Sequence, residues 1–403
     1  MGYDFLAHPF WDKYIEFEER FERKDNVFKL YQRIVHIPMH QYARYFERFR
    51  AAASADTLFG VSQTQVAEFE ATIRAEAGPA ENETAIRSAL HSRCDAYHLE
   101  MFQQCQNEVG TRWTYEQEIK RPYFHVTELD DAQLTNWRKY LDFEEAKGDY
   151  TRIVFLYERC IVAAAYYDEF WVRYARWMYG QTGKVEETRN IYQRASCIFA
   201  PIARPTARLQ WALFEEVNGR VDVALDIYQA MLVATPGSQD PIIAWANCAR
   251  RHHGVDAAID VYTTQVASND TSNATKAALV TEWARLLWKV NGSAEEARKL
   301  FQSNQQQYAE SRTFWTTYLT FELDQPTSAA TEESQYARIK DVFFGICKQS
   351  RLSVETIKDL AQVYMVYLLE RGTKDAAKEY LELDRELNGS GVTVQTQDTA
   401  MTG

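Results

Sequence analysis

Large aromatic rings recur along this chain at a fixed spacing, and nothing else in the sequence restricts the fold as tightly. Trp11, Tyr14 and Phe17 stand three residues apart with Glu18 behind them, and Trp137, Tyr140, Phe143 and Glu144 repeat the pattern. Trp171, Tyr174 and Trp177 keep the rings, and Trp315, Tyr318, Phe321 and Glu322 restore the acid. Weaker copies run through Trp211, Phe214 and Glu215 and through Ile242, Trp245 and Cys248. The copies begin near residues 137, 171, 208, 242, 280 and 315, a period of roughly 35 residues, which is the length of a helical hairpin repeat. With 24 Tyr, 21 Phe and 10 Trp in 403 residues, the rings are numerous enough to furnish every copy.

Residues three apart share a helical face, so each first segment is expected to carry a packing stripe. A second segment follows each first one, as in Arg152–Cys160 and Thr188–Ala195. It offers small residues (Cys160, Ala195, Ala230, Ala257, Ala297) where a neighbouring helix could come close. Polar turns such as Lys147-Gly148-Asp149 and Asn218-Gly219-Arg220 join the two as antiparallel helices. One such pair cannot cover its own stripe, whereas stacked neighbours can. The fold class expected is therefore all-α, an α-solenoid. The Leu-Gly pairs of tetratricopeptide repeats are missing, while the aromatic-Glu pair and the Arg-x-x-Tyr/Phe run are present. The repeats resemble half-a-TPR (HAT) repeats.

Residues 1–50 read as the end of an N-terminal block of repeats and 51–83 as a flexible insertion with one helical stretch near Val66–Arg74. Residues 84–126 read as a long connecting helix and a junction at Arg121, Pro122, Tyr123, Phe124 and His125. The main array is expected over 127–386, and 387–403, rich in Gly, Ser, Thr and Gln, as a disordered tail. Trp11 and Tyr14 open the chain without the polar cap a solenoid end needs, which predicts further repeats upstream.

The net charge of -12 argues against a protein that grips nucleic acid mainly through its phosphates, since such binding needs a basic surface. Six dispersed cysteines without a CxxC suit reduced thiols in the cytosol or nucleus. No run approaches the roughly 20 apolar residues of a membrane span. Phosphate-binding glycine loops, GxSxG, HExxH and cysteine–histidine signatures are all missing, so neither an enzyme nor a cofactor is expected.

Several segments are similar to one HAT family in particular. Leu30–Ile34, Ile37-Pro38, Gln41-Tyr42 and Phe46–Phe49 resemble the junction after the N-terminal repeats of the pre-mRNA-processing factor 39 family. Arg112–Glu116 and the run Ile119–Val126 (IKRPYFHV), followed by Gln133-Leu134, Asn136-Trp137 and Phe143-Glu144, resemble its signature between long helix and C-terminal repeats. The similarity spans roughly residues 5–385 in order and weakens after 270. It implies two HAT blocks joined by a long helix, and a nuclear scaffold in the U1 small nuclear ribonucleoprotein. That scaffold would assist 5′ splice-site recognition in pre-mRNA splicing through protein contacts, including the U1 zinc-finger subunit. It also implies pairing with itself or a paralogue through the C-terminal repeats. The family carries more N-terminal repeats than this chain.

Tyr364, Tyr367, Leu368, Tyr380 and Leu383 lie on the last two helices, the final one without a following repeat, so that it is either the cap or covered by a second copy; with the family in view they are expected at or near a dimer contact. Tyr123 and Phe124, with Pro122, are expected to wedge the long helix against the first C-terminal repeat. Arg250 and Arg251, in the densest basic cluster, are either a partner contact or a solvated helix end. His91, Cys94, Asp95 and His98 have a metal-compatible spacing, but one helix rarely supplies a tetrahedral set, and a packed polar stripe is the expectation. Glu144, Glu215 and Glu322, with Arg159 and Arg194, are expected to form ion pairs that set repeat registry. Rival readings are a scaffold for pre-mRNA 3′-end cleavage and a solenoid that binds single-stranded RNA directly. The RNA reading needs exposed rings, while these are expected between repeats, so any RNA contact should be indirect or minor.

Overall fold

The computed structural model describes residues 2–53, 60–77, 83–328 and 330–389, and among them there is no strand. The chain divides into two compact units, Met1–Lys184 and Val185–Gly403. The first holds α1 (His8–Arg20), α2 (Lys24–Ile34), α3 (Tyr42–Ala53), α4 (Gln63–Ala77), α5 (Glu83–Glu116), α6 (Asp131–Lys147), α7 (Tyr150–Ala163) and α8 (Asp168–Tyr179). The second holds α9 (Val185–Arg194), α10 (Thr206–Val217), α11 (Val221–Ala234), α12 (Gln239–His253), α13 (Val255–Ala267), α14 (Asn273–Lys289) and α15 (Ala294–Asn304). It closes with α16 (Arg312–Leu323), α17 (Glu332–Lys348), α18 (Val354–Arg371) and α19 (Ala376–Asn388). The architecture is an α-solenoid of helix pairs, and no helix described is long and apolar enough to cross a membrane.

Local sequence sets the boundaries. The Asp130 side chain accepts from the Gln133 amide to start α6, and Asp149 accepts from Thr151 and Arg152 to start α7. Between them Gly148 ends α6 at φ +80, a conformation that glycine adopts at no steric cost. The long helix ends at Glu116, short of Pro122. Helix α4 falls within the stretch read as an insertion, with Phe69 against Tyr97 of α5; residues 54–59 and 78–82 lie outside the described residues, as does the tail from 390.

The packing stripe differs in register from the one the ring spacing suggests. On α6 the buried residues are Trp137, Tyr140, Leu141 and Glu144, and on α1 they are Trp11, Ile15 and Glu18. The buried face thus follows i, i+3, i+4 and i+7, while i+6 lies roughly 120° from the first residue. Phe17, at i+6, is accordingly 49% exposed, while Tyr14, although at i+3, is 39% exposed on α1. Phe143 and Trp177, also at i+6, are half-buried, whereas Trp171, Tyr174, Trp315 and Tyr318 are buried; Phe321 is the exception at i+6, buried against Trp288 and Phe301. Among the small residues, Cys160, Ala195 and Ala297 are buried but Ala230 is exposed and Ala257 half-buried. Counted from the buried ring of each second helix, the residue matching Cys160 and Ala195 is Met231, which is buried.

The i+7 acid explains why an aromatic is followed by Glu. Arg112 makes a two-pronged bond to Glu144, at 2.7 and 3.0 Å, and its guanidinium lies 5.3 Å from the Phe143 ring. Arg189 holds Glu215 at 2.7 and 3.0 Å, 5.6 Å from Phe214. Arg298 holds Glu322 at 2.5 and 2.9 Å, 5.6 Å from Phe321. Each arginine comes from the helix before the acid's own and also meets a second acid, Glu108, Glu186 or Glu295. The expected partner Arg159 does not serve these acids but binds Glu116 and Asp4. A planar guanidinium that stacks on a ring and forks onto a carboxylate cannot be replaced by lysine. These forks fix one helix against the next.

Candidate interaction surfaces

Segment 117–130 connects α5 to α6 without helix, and its sequence dictates why. Pro122 lacks an amide donor and biases Arg121 toward extended backbone. Arg121 ties the segment back on itself, donating from Nη1 to Thr127 Oγ1 at 3.0 Å and from Nη2 to the Thr127 carbonyl at 3.0 Å. The Thr127 amide donates to His125 Nδ1 at 3.1 Å, which makes that nitrogen an acceptor and places the proton of a neutral ring on Nε2. At the far end the Leu129 amide donates to the Tyr167 hydroxyl at 2.8 Å, and Leu129 is buried.

The loop is therefore held at both ends while its middle faces outward. Tyr123, Phe124 and Val126 are 59%, 45% and 69% exposed. Phe124 meets the edge of Tyr166, itself partly exposed, at 5.2 Å and 90°. This corrects the wedge expected of Pro122, Tyr123 and Phe124: the loop's own hydrogen bonds, rather than ring burial, fix the junction. A fixed apolar projection on a polar surface has the composition of a protein-docking site.

The second unit carries an open groove of about 580 Å³ lined by Ile198, Ile202, Trp211, Ile227, Ala230 and Met231. Arg208 shapes one wall by donating to the carbonyls of Ser196, Ala200, Pro201 and Arg204 at 2.6–3.2 Å. Ala230 occupies the position where α7 has Arg159, and the shorter side chain leaves the space open.

The dimer candidates need correction. Tyr364, Tyr367, Leu368 and Leu383 are buried in the chain's own core, and Tyr380 is half-buried against it. Tyr364 stacks on Phe343 at 4.3 Å and donates to Glu379 at 2.8 Å. Their side chains point inward because α17 and α19 already cover α18. The exposed large apolar residues of α18 and α19 are Val354, Val363, Val366, Leu369 and Leu381.

Arg251 is not a free cation, since it forks onto Glu216 at 2.6 and 2.6 Å, with His252 Nε2 2.9 Å from the same carboxylate. Arg250 is half-buried. His91 pairs with Asp95 at 3.2 Å on the outside of α5 while Cys94 and His98 are buried, so that quartet does not converge. The bonds from Arg251, and secondarily His252, hold the Glu216 carboxyl down at about 2 despite burial. Its folded value lies below its unfolded one, so this stabilisation is whole above the ordinary 4.5 and disappears as pH falls from there toward 2. The shift corresponds to about 3 kcal/mol, and Glu216→Gln should flatten that part of the acid limb in urea titrations followed by helicity. An acid limb unchanged by the substitution would remove Glu216 from the account.

Comparisons with known proteins bear on both units. The PRP39 N-terminal HAT repeat family matches residues 1–51 and the PRP39 C-terminal HAT repeat family matches residues 110–251. Pre-mRNA-processing factor 39 of Schizosaccharomyces pombe is 43% identical, over 96% of this chain and 66% of that protein. The human protein of that name is 32% identical, over 74% of this chain and 47% of its own length. The chain thus spans about half to two thirds of the curated relatives it matches. Among solved structures, the crystal structure of CstF-77 superposes with a TM-score of 0.55 at 13% identity, covering 96% of this chain and 81% of that one, which shows a shared fold alone.

Proposed function

This chain belongs to the pre-mRNA-processing factor 39 family, and we propose that it is a nuclear, non-catalytic scaffold of the U1 small nuclear ribonucleoprotein. It supports 5′ splice-site recognition in pre-mRNA splicing by holding U1 proteins, the zinc-finger subunit among them, and pairs with a second copy or a paralogue. The observation that carries this reading is the tied, outward-facing Tyr123-Phe124-Val126 loop, in the segment where the chain's resemblance to the family is most specific. Catalysis has no support in the polar groups described above, whose carboxylates are engaged by arginines in structural forks. RNA enters indirectly, since most rings of the repeat lie inside and the net charge is -12.

The test is affinity capture from nuclear extract, scored for U1 RNA. The wild-type chain should retain U1 RNA, and Tyr123→Ala/Phe124→Ala should lower its recovery at least tenfold with helicity and melting temperature unchanged. Recovery of 3′-end cleavage factors in place of U1 RNA would favour the rival scaffold, and tight binding of short RNAs on filters would favour direct RNA recognition. Pairing is placed on Val363, Val366, Leu369 and Leu381 of α18 and α19. A monomeric mass by light scattering at tens of micromolar would reject self-pairing.

A further inference from the structure

Three of the buried carboxylates described above, Glu144, Glu215 and Glu322, are served by guanidinium groups. Glu216 has its guanidinium too, from Arg251, but two further ligand-type side chains meet it. On α12, Cys248 and His252 stand four residues apart, one helical turn, so both reach the same side, and Glu216 of α10 meets them there. The Cys248 sulfur, a His252 ring nitrogen and a Glu216 oxygen all lie within 4.8 Å of one another, the sole such group of three among the described residues. Cys248 is fully buried, Glu216 nearly so, and His252 opens the cluster to solvent. Behind them the Tyr228 hydroxyl is fully buried without a hydrogen-bond partner, and Cys248 and Glu216 are the acidic groups that act on it.

We propose that Glu216, Cys248 and His252 form a binding site for a zinc-like divalent cation that staples the first helices of two successive repeats. One sulfur, one imidazole and one carboxylate make a donor set suited to a borderline-soft, four-coordinate metal. In such a site the donors sit roughly 3.3–3.8 Å apart, so the sulfur closes in by no more than roughly 1.5 Å, while His252 Nε2 and Glu216 Oε1, now 2.9 Å apart, open slightly. As the sulfur–metal bond forms, the Cys248 thiol releases its proton to solvent through the His252 side. Glu216 Oε1, now shared between Arg251 and His252, turns to the metal, while Arg251 Nη2 keeps Oε2 and orients the carboxylate. The fourth position belongs to a water, and the orphaned Tyr228 hydroxyl is a ready partner for it. The site is independent of the splicing assignment.

Cobalt(II) titrated into the full, reduced chain reads this directly, because a thiolate bound to Co2+ gives a charge-transfer absorption that a carboxylate or imidazole does not. One equivalent should produce the band and zinc should bleach it. His252→Gln, a change at an open position, should weaken affinity tenfold or more with helicity unchanged, and Cys248→Ala should abolish the band. Cys197→Ser and Cys347→Ser, at the exposed cysteines, should leave it intact. No band at millimolar cobalt, or a band that survives Cys248→Ala, overturns the proposal.

Discussion

Replacing Glu322 with Ala should lower the unfolding free energy by about 3 kcal/mol, measured by urea denaturation followed by helicity. Breaking a buried ion pair from one side typically costs about 3–5 kcal/mol, because the remaining charge stays out of water without its partner. The lower end applies here, since Arg298 keeps Glu295 at 2.6 Å and the Phe321 ring. The chain itself suggests the rescue. The fork's arginine stands three residues before one ring of a stacked pair and its glutamate four residues after the other, as around Phe301 and Tyr318, stacked at 4.6 Å. Around Tyr157 and Tyr174, stacked at 4.5 Å, those positions hold Val154 and Met178. One repeat thus has an apolar pair where three others have ions. The double replacement Arg298→Val with Glu322→Met should therefore recover most of the loss, because two matched apolar groups leave no charge to desolvate. If the double variant is as unstable as Glu322→Ala, the fork contributes through something other than charge burial.

The sequence carried the repeat clearly and its register poorly, for a physical reason. Rings at i, i+3 and i+6 are conspicuous by eye, yet a helix of 3.6 residues per turn returns to its starting face at i+7, where this chain has glutamate. A carboxylate in the buried stripe contradicts the usual apolar pattern, and its partner lies on another helix, so composition hides it. The same limit holds at the C-terminal helices: Tyr364 and Tyr367 are apolar enough for an interface, but α17 and α19 cover them. At 121–126 the reverse occurred, and a segment with core-like composition is held outward by Arg121 and Thr127. Cys248 and His252 stand one helical turn apart, a spacing without meaning by itself; only packing of α10 against α12 brings in Glu216.

The corrected register can be tested against the rings themselves. Trp171→Ala should cost about 3–5 kcal/mol, as removal of a large core ring leaves a cavity the helices cannot close. Tyr14→Ala and Phe17→Ala, at the same aromatic signature, should each change stability by less than about 0.5 kcal/mol, as exposed substitutions do. Trp171 also donates from Nε1 to the Ala165 carbonyl at 2.9 Å, and Trp315 repeats the bond to Ala309 at 3.2 Å. Each indole therefore pins the turn that enters its own helix, which a phenyl ring cannot do. Trp171→Phe should accordingly lose about 1–3 kcal/mol through the unpaired carbonyl even where the ring volume is largely kept. Urea midpoints of the four variants would rank the positions. Equal losses at Phe17 and Trp171 would mean that the face at i+6 packs as firmly as the face at i, and the register drawn from α6 would have to be abandoned.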